Sequence, residues 1–158
     1  MNNHLSKQKT ARRLMRYGVL LFFLGLLTGL IVQKLANPRM GLSSHLEGVM
    51  NGIFLVVLGV VWPRLRLSRL ASTITFWLAM YATYISWVTT LAAAAWGAGE
   101  SMLPIAAAGH RGTALQEAII SLGLSSLVLA ILVTCVIVLW GLRGADEPIS
   151  KGPTPIQE

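Results

Sequence analysis

Four long apolar stretches constrain this chain more than any other feature of its sequence. They cover approximately residues 14–36, 42–63, 70–97 and 113–143, with short breaks between them. About 20 apolar residues in a helix cross the hydrocarbon core of a bilayer, so each stretch is long enough to span it. A helix also satisfies its own backbone hydrogen bonds in lipid. We therefore predict an all-α fold, a four-helix transmembrane bundle that forms one integral membrane domain over residues 1–158.

The composition agrees with a membrane protein. Of the 158 residues, 54% are apolar and only 12% are charged, whereas a soluble domain is about one quarter charged. The net charge is +7, but the basic residues flank the apolar stretches. Lipid headgroups and membrane topology explain such a pattern better than nucleic acid does. We expect a lipid bilayer as a partner and no nucleic acid.

The distribution of lysine and arginine predicts the orientation. Ten of these residues lie in the N-terminal tail, the second connector and the C-terminal tail, and only Lys34, Arg39 and Arg111 lie in the other two connectors. The positive-inside rule then places both termini in the cytoplasm, as in a multi-pass protein of the cell inner membrane. The polar tails, residues 1–10 and 145–158, are predicted to be disordered.

Polar residues at the start of the second stretch are the first candidates for function, because such groups are costly inside a membrane. His45, Gly48 and Gly52 follow one another at spacings of three and four, so they share one helix face. A flat macrocycle can lie against such a side-chain-poor face while the imidazole binds its metal. The alternative is an interfacial histidine beside glycines that serve helix packing.

Glu47 and Asn51 are four residues apart and share a different face of the same helix. Asn51 lies about 120° around the helix from His45. In an oligomer, one protomer can therefore offer His45 to one site and Asn51 to the neighbouring site. For Glu47, the alternative to a functional role is an ion pair with Arg39 or Arg111.

The third stretch carries Tyr81 and Tyr84. Buried tyrosine hydroxyls need hydrogen-bond partners, so each is a candidate donor to a bound substrate or cofactor. Aromatic packing between helices is the alternative for both. The following connector, residues 97–112, has an apolar centre that suggests a lid over one mouth of the bundle. It also contains His110, a second candidate ligand.

The segments Ser44-His-Leu-Glu-Gly-Val-Met-Asn-Gly52 and Tyr81-Ala-Thr-Tyr-Ile-Ser-Trp87 resemble the hydroxylaminobenzene mutases. These small membrane proteins are similar in turn to the styrene oxide isomerases, which are four-helix enzymes that form trimers with haem b between protomers. The two families share a histidine, five intervening residues, and an asparagine–glycine pair. Here that motif is His45, Asn51 and Gly52.

The resemblance implies specific roles. His45 becomes the axial ligand of the haem iron, Gly48 and Gly52 lie on the cofactor side of the helix, and Asn51 points into the active site. The isomerases also use a tyrosine from the third helix, but this chain has Thr90 at that position and Ser86 where they have an asparagine. The role of that tyrosine therefore passes to Tyr81 or Tyr84, or is absent.

The activity implied is that of a membrane isomerase that rearranges an arylhydroxylamine to an ortho-aminophenol. Ferric haem b would act as the Lewis acid for the oxygen of a small aromatic substrate, in a homo-oligomer, most simply a homotrimer. An epoxide isomerase on the same site is one alternative. Others are a metal-free isomerase using Glu47 and His45, a transporter of hydrophobic cations coupled through Glu47 or Glu117, and a non-catalytic helical subunit.

Overall fold

Helices form nearly all of the structure. The computed structural model describes residues 2–143, and that part of the chain contains no strand. Four of its helices are long and apolar enough to cross a membrane, as the apolar stretches predict, and one is a short helix in a connector. The helices are α1 (Asn2–Ile31), α2 (Pro38–Val61), α3 (Arg69–Trp96), α4 (Pro104–Ala107) and α5 (Ala114–Gly141).

The N-terminal tail differs from its prediction. Helix α1 begins at Asn2, so residues 2–10, which were predicted to be disordered, are helical. Lys7, Gln8 and Lys9 of this segment are good helix formers, as are the alanine and arginines at positions 11–13 that follow it, so the apolar helix extends back through a basic turn on either side of Thr10. The predicted disorder of residues 145–158 lies outside the described residues.

Local capping signals set the ends of the other long helices. Asn37 precedes α2 and its side chain accepts a hydrogen bond from the Met40 amide at 3.1 Å, while Pro38 occupies the first helical position. Ser68 caps α3 in the same way. Gly97 ends α3 with a left-handed φ of 62°, a conformation that glycine adopts without the steric cost of a Cβ atom.

The long helices form an open row. Helix α1 packs mainly on α2, α2 on α3, and α3 on α5; among the described residues, the backbone of α5 comes close to that of α3 but not to that of another helix. Helix α1 reaches α3 only over a short length. A groove therefore separates α1 from α3, and broad apolar faces point outward, where lipid or further copies of the chain can cover them.

The connector between α3 and α5 folds over the start of α2, where the sequence predicts a lid. The Asn37 amide donates to the Ala107 carbonyl at 2.8 Å and so holds α4 in place. The Glu117 carboxylate accepts hydrogen bonds from the amides of Gly99 and Gly112 and from the Ser101 hydroxyl, at 2.8–3.0 Å. Glu117 thus organises the connector, which leaves it poorly suited to the coupling role that a transporter would require.

Candidate active site

His45 lies in the second turn of α2 and faces α1. Its Nδ1 atom is 2.8 Å from the carbonyl oxygen of Gly25. A carbonyl oxygen can only accept a hydrogen bond, so Nδ1 carries the proton and donates it. In the neutral imidazole, the lone pair is then on Nε2. A backbone contact therefore fixes both the tautomer and the orientation of the ring.

Glycine at position 29 makes room for this ring. A Cβ atom at Gly29 would lie 2.8 Å from Nδ1 of His45 and 3.0 Å from Cε1. Real Cβ atoms essentially never come so close to other heavy atoms, so any larger residue would push the imidazole away. The site needs two positions of α1, the Gly25 carbonyl as acceptor and the bare backbone at Gly29.

The glycine face of α2 is a helix–helix contact. A Cβ atom at Gly48 would lie 2.6 Å from the Cα atom of Gly25, and one at Gly52 would lie 2.6 Å from the amide nitrogen of Phe22. Helix α1 therefore covers Gly48 and Gly52, and no macrocycle can lie flat against them. Gly48 and Gly52 were predicted to be cofactor-binding residues, and the structure contradicts this within one chain. The glycines of α1 that pack against them were the feature of the sequence that indicated a close helix contact.

Asn51 lies on another side of α2, as the helical spacing predicts. Its side chain is half-buried, and within residues 2–143 it has no hydrogen-bond partner. The amide offers two donor hydrogens and one acceptor oxygen. Asn51 can therefore bind a polar ligand group without first breaking a contact in its own chain.

Glu47 points toward α3, where it accepts a hydrogen bond from the hydroxyl of Ser86. The predicted ion pair with Arg39 or Arg111 is wrong. Arg111 instead lies 3.7 Å from a carboxylate oxygen of Glu100 in the connector. Glu47 therefore ties α2 to α3 one turn before Asn51.

The hydroxyls of Tyr81 and Tyr84 are both engaged. Tyr84 donates to the backbone carbonyl of Tyr17 on α1 at 2.9 Å, and Tyr81 shares a hydrogen bond of 2.8 Å with Ser126 on α5. Both rings line an apolar cleft of about 430 Å³ whose lining includes neither His45 nor Asn51. Within one chain, the predicted tyrosines and the predicted haem ligand are therefore not brought together.

Trp87 is a site residue for which the sequence predicts no role, since it appears there only as the last residue of a segment that resembles the family. Its indole nitrogen donates to the Thr28 hydroxyl at 3.1 Å, and its backbone carbonyl accepts from Ser44 at 3.2 Å. A Cβ atom at Gly48 would lie 2.9 Å from its ring. Trp87 joins α1, α2 and α3 through Thr28, Ser44 and Gly48, and the last two lie on either side of His45 in the sequence. The polar neighbour Ser44 was the available signal.

His110 caps the short helix α4. Its Nδ1 atom donates to the Ala107 carbonyl at 3.0 Å, and the residue is exposed in the connector. Its contacts are with the connector and with the end of α3. The structure thus gives His110 a local capping role, separate from the contacts of His45.

Comparison with known proteins identifies the family. The family model for styrene oxide isomerase matches residues 10–143. Hydroxylaminobenzene mutase HabB of Ectopseudomonas oleovorans is 54% identical in an alignment of 151 positions that covers 92% of each chain. Hydroxylaminobenzene mutase HabA of the same organism is 45% identical over 125 residues, or 79% of this chain and 93% of that protein.

The chain belongs to the styrene oxide isomerase family. The resemblance noted in the sequence is therefore confirmed, and the protein is an isomerase. The matched region holds α1 from residue 10 onward, the other three membrane helices and the whole of the motif from His45 to Gly52. No solved structure matches the chain.

In this styrene oxide isomerase family member, the donor set suits a haem iron better than a bare metal ion. Within the described part of the chain, no three histidine, cysteine, aspartate or glutamate side chains converge. A haem iron receives four ligands from its macrocycle and needs only one or two from protein. His45 meets that need, since a ligating histidine typically donates its other ring nitrogen to a carbonyl or carboxylate.

Proposed function

We propose that the protein is a membrane mutase that rearranges an arylhydroxylamine to an ortho-aminophenol, with haem b held by His45. The observation that carries this proposal is the hydrogen bond from Nδ1 of His45 to the Gly25 carbonyl, which presents Nε2 as a ligand. The 54% identity to hydroxylaminobenzene mutase HabB supports the choice of substrate class.

The reaction is an isomerisation without net oxidation or reduction. The N–O bond breaks, a C–O bond forms at the ortho carbon, and the proton displaced from that carbon is replaced by one gained at nitrogen. When bound, a ferric haem with one protein ligand supplies a Lewis acid with an open position. The hydrogen bond to the Gly25 carbonyl holds the ring of His45 in place.

Asn51 holds the polar end of the substrate. Its amide has no hydrogen-bond partner in residues 2–143. The amide oxygen can therefore accept a hydrogen bond from the substrate N–H, and the amide nitrogen can donate one to the substrate oxygen. The half-buried side chain lies among apolar residues of the span, which exclude the water that would capture a reactive intermediate. Tyr81 and Tyr84 would first have to release Ser126 and the Tyr17 carbonyl. We therefore assign the substrate contact to Asn51 and a helix-tying role to the tyrosines.

The active unit in this proposal is an oligomer, with a trimer as in the resemblance. His45 and Asn51 point about 120° apart around α2, so one chain does not direct both at a single ligand. The open row of helices leaves faces of α1, α2 and α5 without a partner helix. A neighbouring protomer supplies the missing wall, and His45 of one chain then faces Asn51 of the next.

The proposed orientation in the membrane follows the positive-inside rule, with both termini in the cytoplasm.

The metal-free alternative is less consistent with the geometry. Glu47 and His45 are two residues apart, which places them about 160° apart around the helix. Each is also engaged with a different neighbouring helix, Glu47 with Ser86 on α3 and His45 with Gly25 on α1. An acid and a base that act on one substrate have to lie within reach of the same reacting atoms.

Product analysis tests the activity. Purified protein in detergent or liposomes is incubated with hydroxylaminobenzene or with styrene oxide, and the products are separated by chromatography. We expect 2-aminophenol from the first substrate at a rate well above the second. Phenylacetaldehyde as the dominant product would favour the epoxide isomerase, which the family match also supports. Conversion of neither compound would contradict the proposal.

A further inference from the structure

A second candidate site lies in the groove between α1 and α3, at the end of the bundle opposite His45. Here the first turns of both helices and the α2–α3 connector enclose a cavity of about 260 Å³. Its walls combine cationic, hydroxyl and aromatic side chains. They are Ser6, Lys7, Thr10, Arg13, Trp62, Leu67, Arg69, Ser72, Thr73, Phe76 and Trp77.

The cavity carries positive charge that is not neutralised within the described residues. Arg13 and Arg69 are exposed and have no acidic partner in residues 2–143, where the single ion pair joins Arg111 to Glu100. Lys7 is already bonded to the Leu65 carbonyl at 2.8 Å, so it shapes the wall. Two guanidinium groups beside hydroxyls form a site suited to a phosphate, whose oxygens can accept paired N–H donors.

The groove continues from this cavity as an apolar surface. Trp77 lines both the basic cavity and the cleft of about 430 Å³. The rest of that cleft is lined by Tyr17, Leu20, Met80, Tyr81, Tyr84 and Ile85. From Arg69 to Ile85 the helix rises about 24 Å, close to the roughly 20 Å depth of one leaflet with its headgroups. The groove is therefore basic at its mouth and apolar along one leaflet.

We propose that this groove binds one anionic phospholipid. Its phosphate pairs with Arg13 and Arg69, and one acyl chain passes over Trp77 into the apolar cleft. The site is independent of the proposed mutase reaction, since its lining shares no residue with the His45 and Asn51 contacts. Free phosphate could use the basic cavity, but it would leave the apolar cleft without a role.

The first test measures lipid retention. Protein in mixed micelles of phosphatidylglycerol and phosphatidylcholine is analysed by native mass spectrometry, for wild type, R13Q/R69Q and the control R12Q/R16Q. The control removes the same charge from exposed positions of α1 outside the cavity. We expect phosphatidylglycerol binding to fall about tenfold in R13Q/R69Q and to stay within about twofold of wild type in the control. Equal loss in both, or loss in neither, would overturn the proposal.

The second test locates the acyl chain and separates lipid from free phosphate. Trp77 and Trp140 are both lipid-exposed, at 65% and 59%, so they form a matched pair. Phosphatidylglycerol with brominated acyl chains should quench wild type and Trp140→Ala more than brominated phosphatidylcholine does. Trp77→Ala should lose that difference. Millimolar inorganic phosphate should not displace the lipid. Displacement by phosphate alone, or a headgroup difference that survives in Trp77→Ala, would refute a lipid site.

Discussion

At the scale of single residues, one backbone carbonyl determines which ring nitrogen of His45 is available to bind a ligand. The Gly25 oxygen accepts the Nδ1 proton and leaves Nε2 with its lone pair. The sequence identifies His45 as a candidate functional residue, because a polar side chain is energetically costly inside a membrane. It does not predict the acceptor, because Gly25 lies 20 residues away and contributes only backbone. The same limit applies to Glu47, whose partner Ser86 lies 39 residues further along the chain.

Gly29→Ala tests whether the imidazole has to lie where it does. The new methyl group would be 2.8 Å from Nδ1 of His45, so the ring has to move and its bond to the Gly25 carbonyl is distorted. We expect the haem-to-protein ratio of the purified variant to fall clearly below that of wild type. Leu30→Ala, at a lipid-facing neighbour that is 79% exposed, is the control and should keep its haem. Unchanged haem content in Gly29→Ala would count against the ligand assignment.

Asn51→Ala separates substrate binding from cofactor binding. Because the amide has no hydrogen-bond partner in residues 2–143, its removal breaks no hydrogen bond of the fold there. We expect normal haem content and a turnover about 100-fold lower, as for loss of one positioned hydrogen-bonding group. Met50→Ala, at the next position and 67% exposed, should keep wild-type turnover. Full activity in Asn51→Ala would exclude the proposed substrate contact.

At the scale of helices, paired glycines determine how the site is assembled. Gly25 of α1 lies against Gly48 of α2, and Gly18 lies against Gly52. The sequence shows both glycine stripes, but an isolated stripe fits a cofactor surface and a helix contact equally well. The structure decides for the contact, because the backbones approach too closely for any side chain. The same contact brings the Gly25 carbonyl to His45.

Gly48→Ala tests this helix contact. Its Cβ atom would lie 2.6 Å from the Cα atom of Gly25, where backbone cannot move aside cheaply. We expect the free energy of unfolding in a sodium dodecyl sulfate titration to fall by about 1–3 kcal/mol. Gly41→Ala is the matched control on the same helix, since the atom nearest to its Cβ atom, at 2.8 Å, is Cδ1 at the flexible end of the Leu35 side chain. An equal loss in both variants would show that the close backbone contact is not the cause.

At the scale of the whole molecule, the four membrane helices follow from the four apolar stretches, because lipid leaves the backbone few alternatives. Their arrangement does not follow, since apolar residues on every face do not say which face meets a neighbour. The structure places α5 against α3 alone and leaves α1 and α3 apart over most of their length. The prediction of disorder for residues 2–10 was wrong, because a polar, basic segment can continue an apolar helix.

The open row of helices leads to a prediction about assembly. Helix α5 is exposed along most of its length, with residues such as Leu122 at 73% and Leu129 at 67%, and His45 and Asn51 face different neighbours. We expect native mass spectrometry of the protein released from mild detergent to give a homotrimer of about 51 kDa in polypeptide, from a chain of 17.1 kDa. A monomer that retains full mutase turnover would contradict a site shared between protomers.

The measurement that tests the central claim most directly is the visible absorption spectrum of wild type and His45→Ala, purified side by side from cells supplied with haem precursor. We predict a Soret band in the wild type that is lost in the variant, because Nε2 of His45 is the proposed protein ligand to the iron. A wild-type protein without a Soret band, or a variant with an unchanged one, would contradict the account.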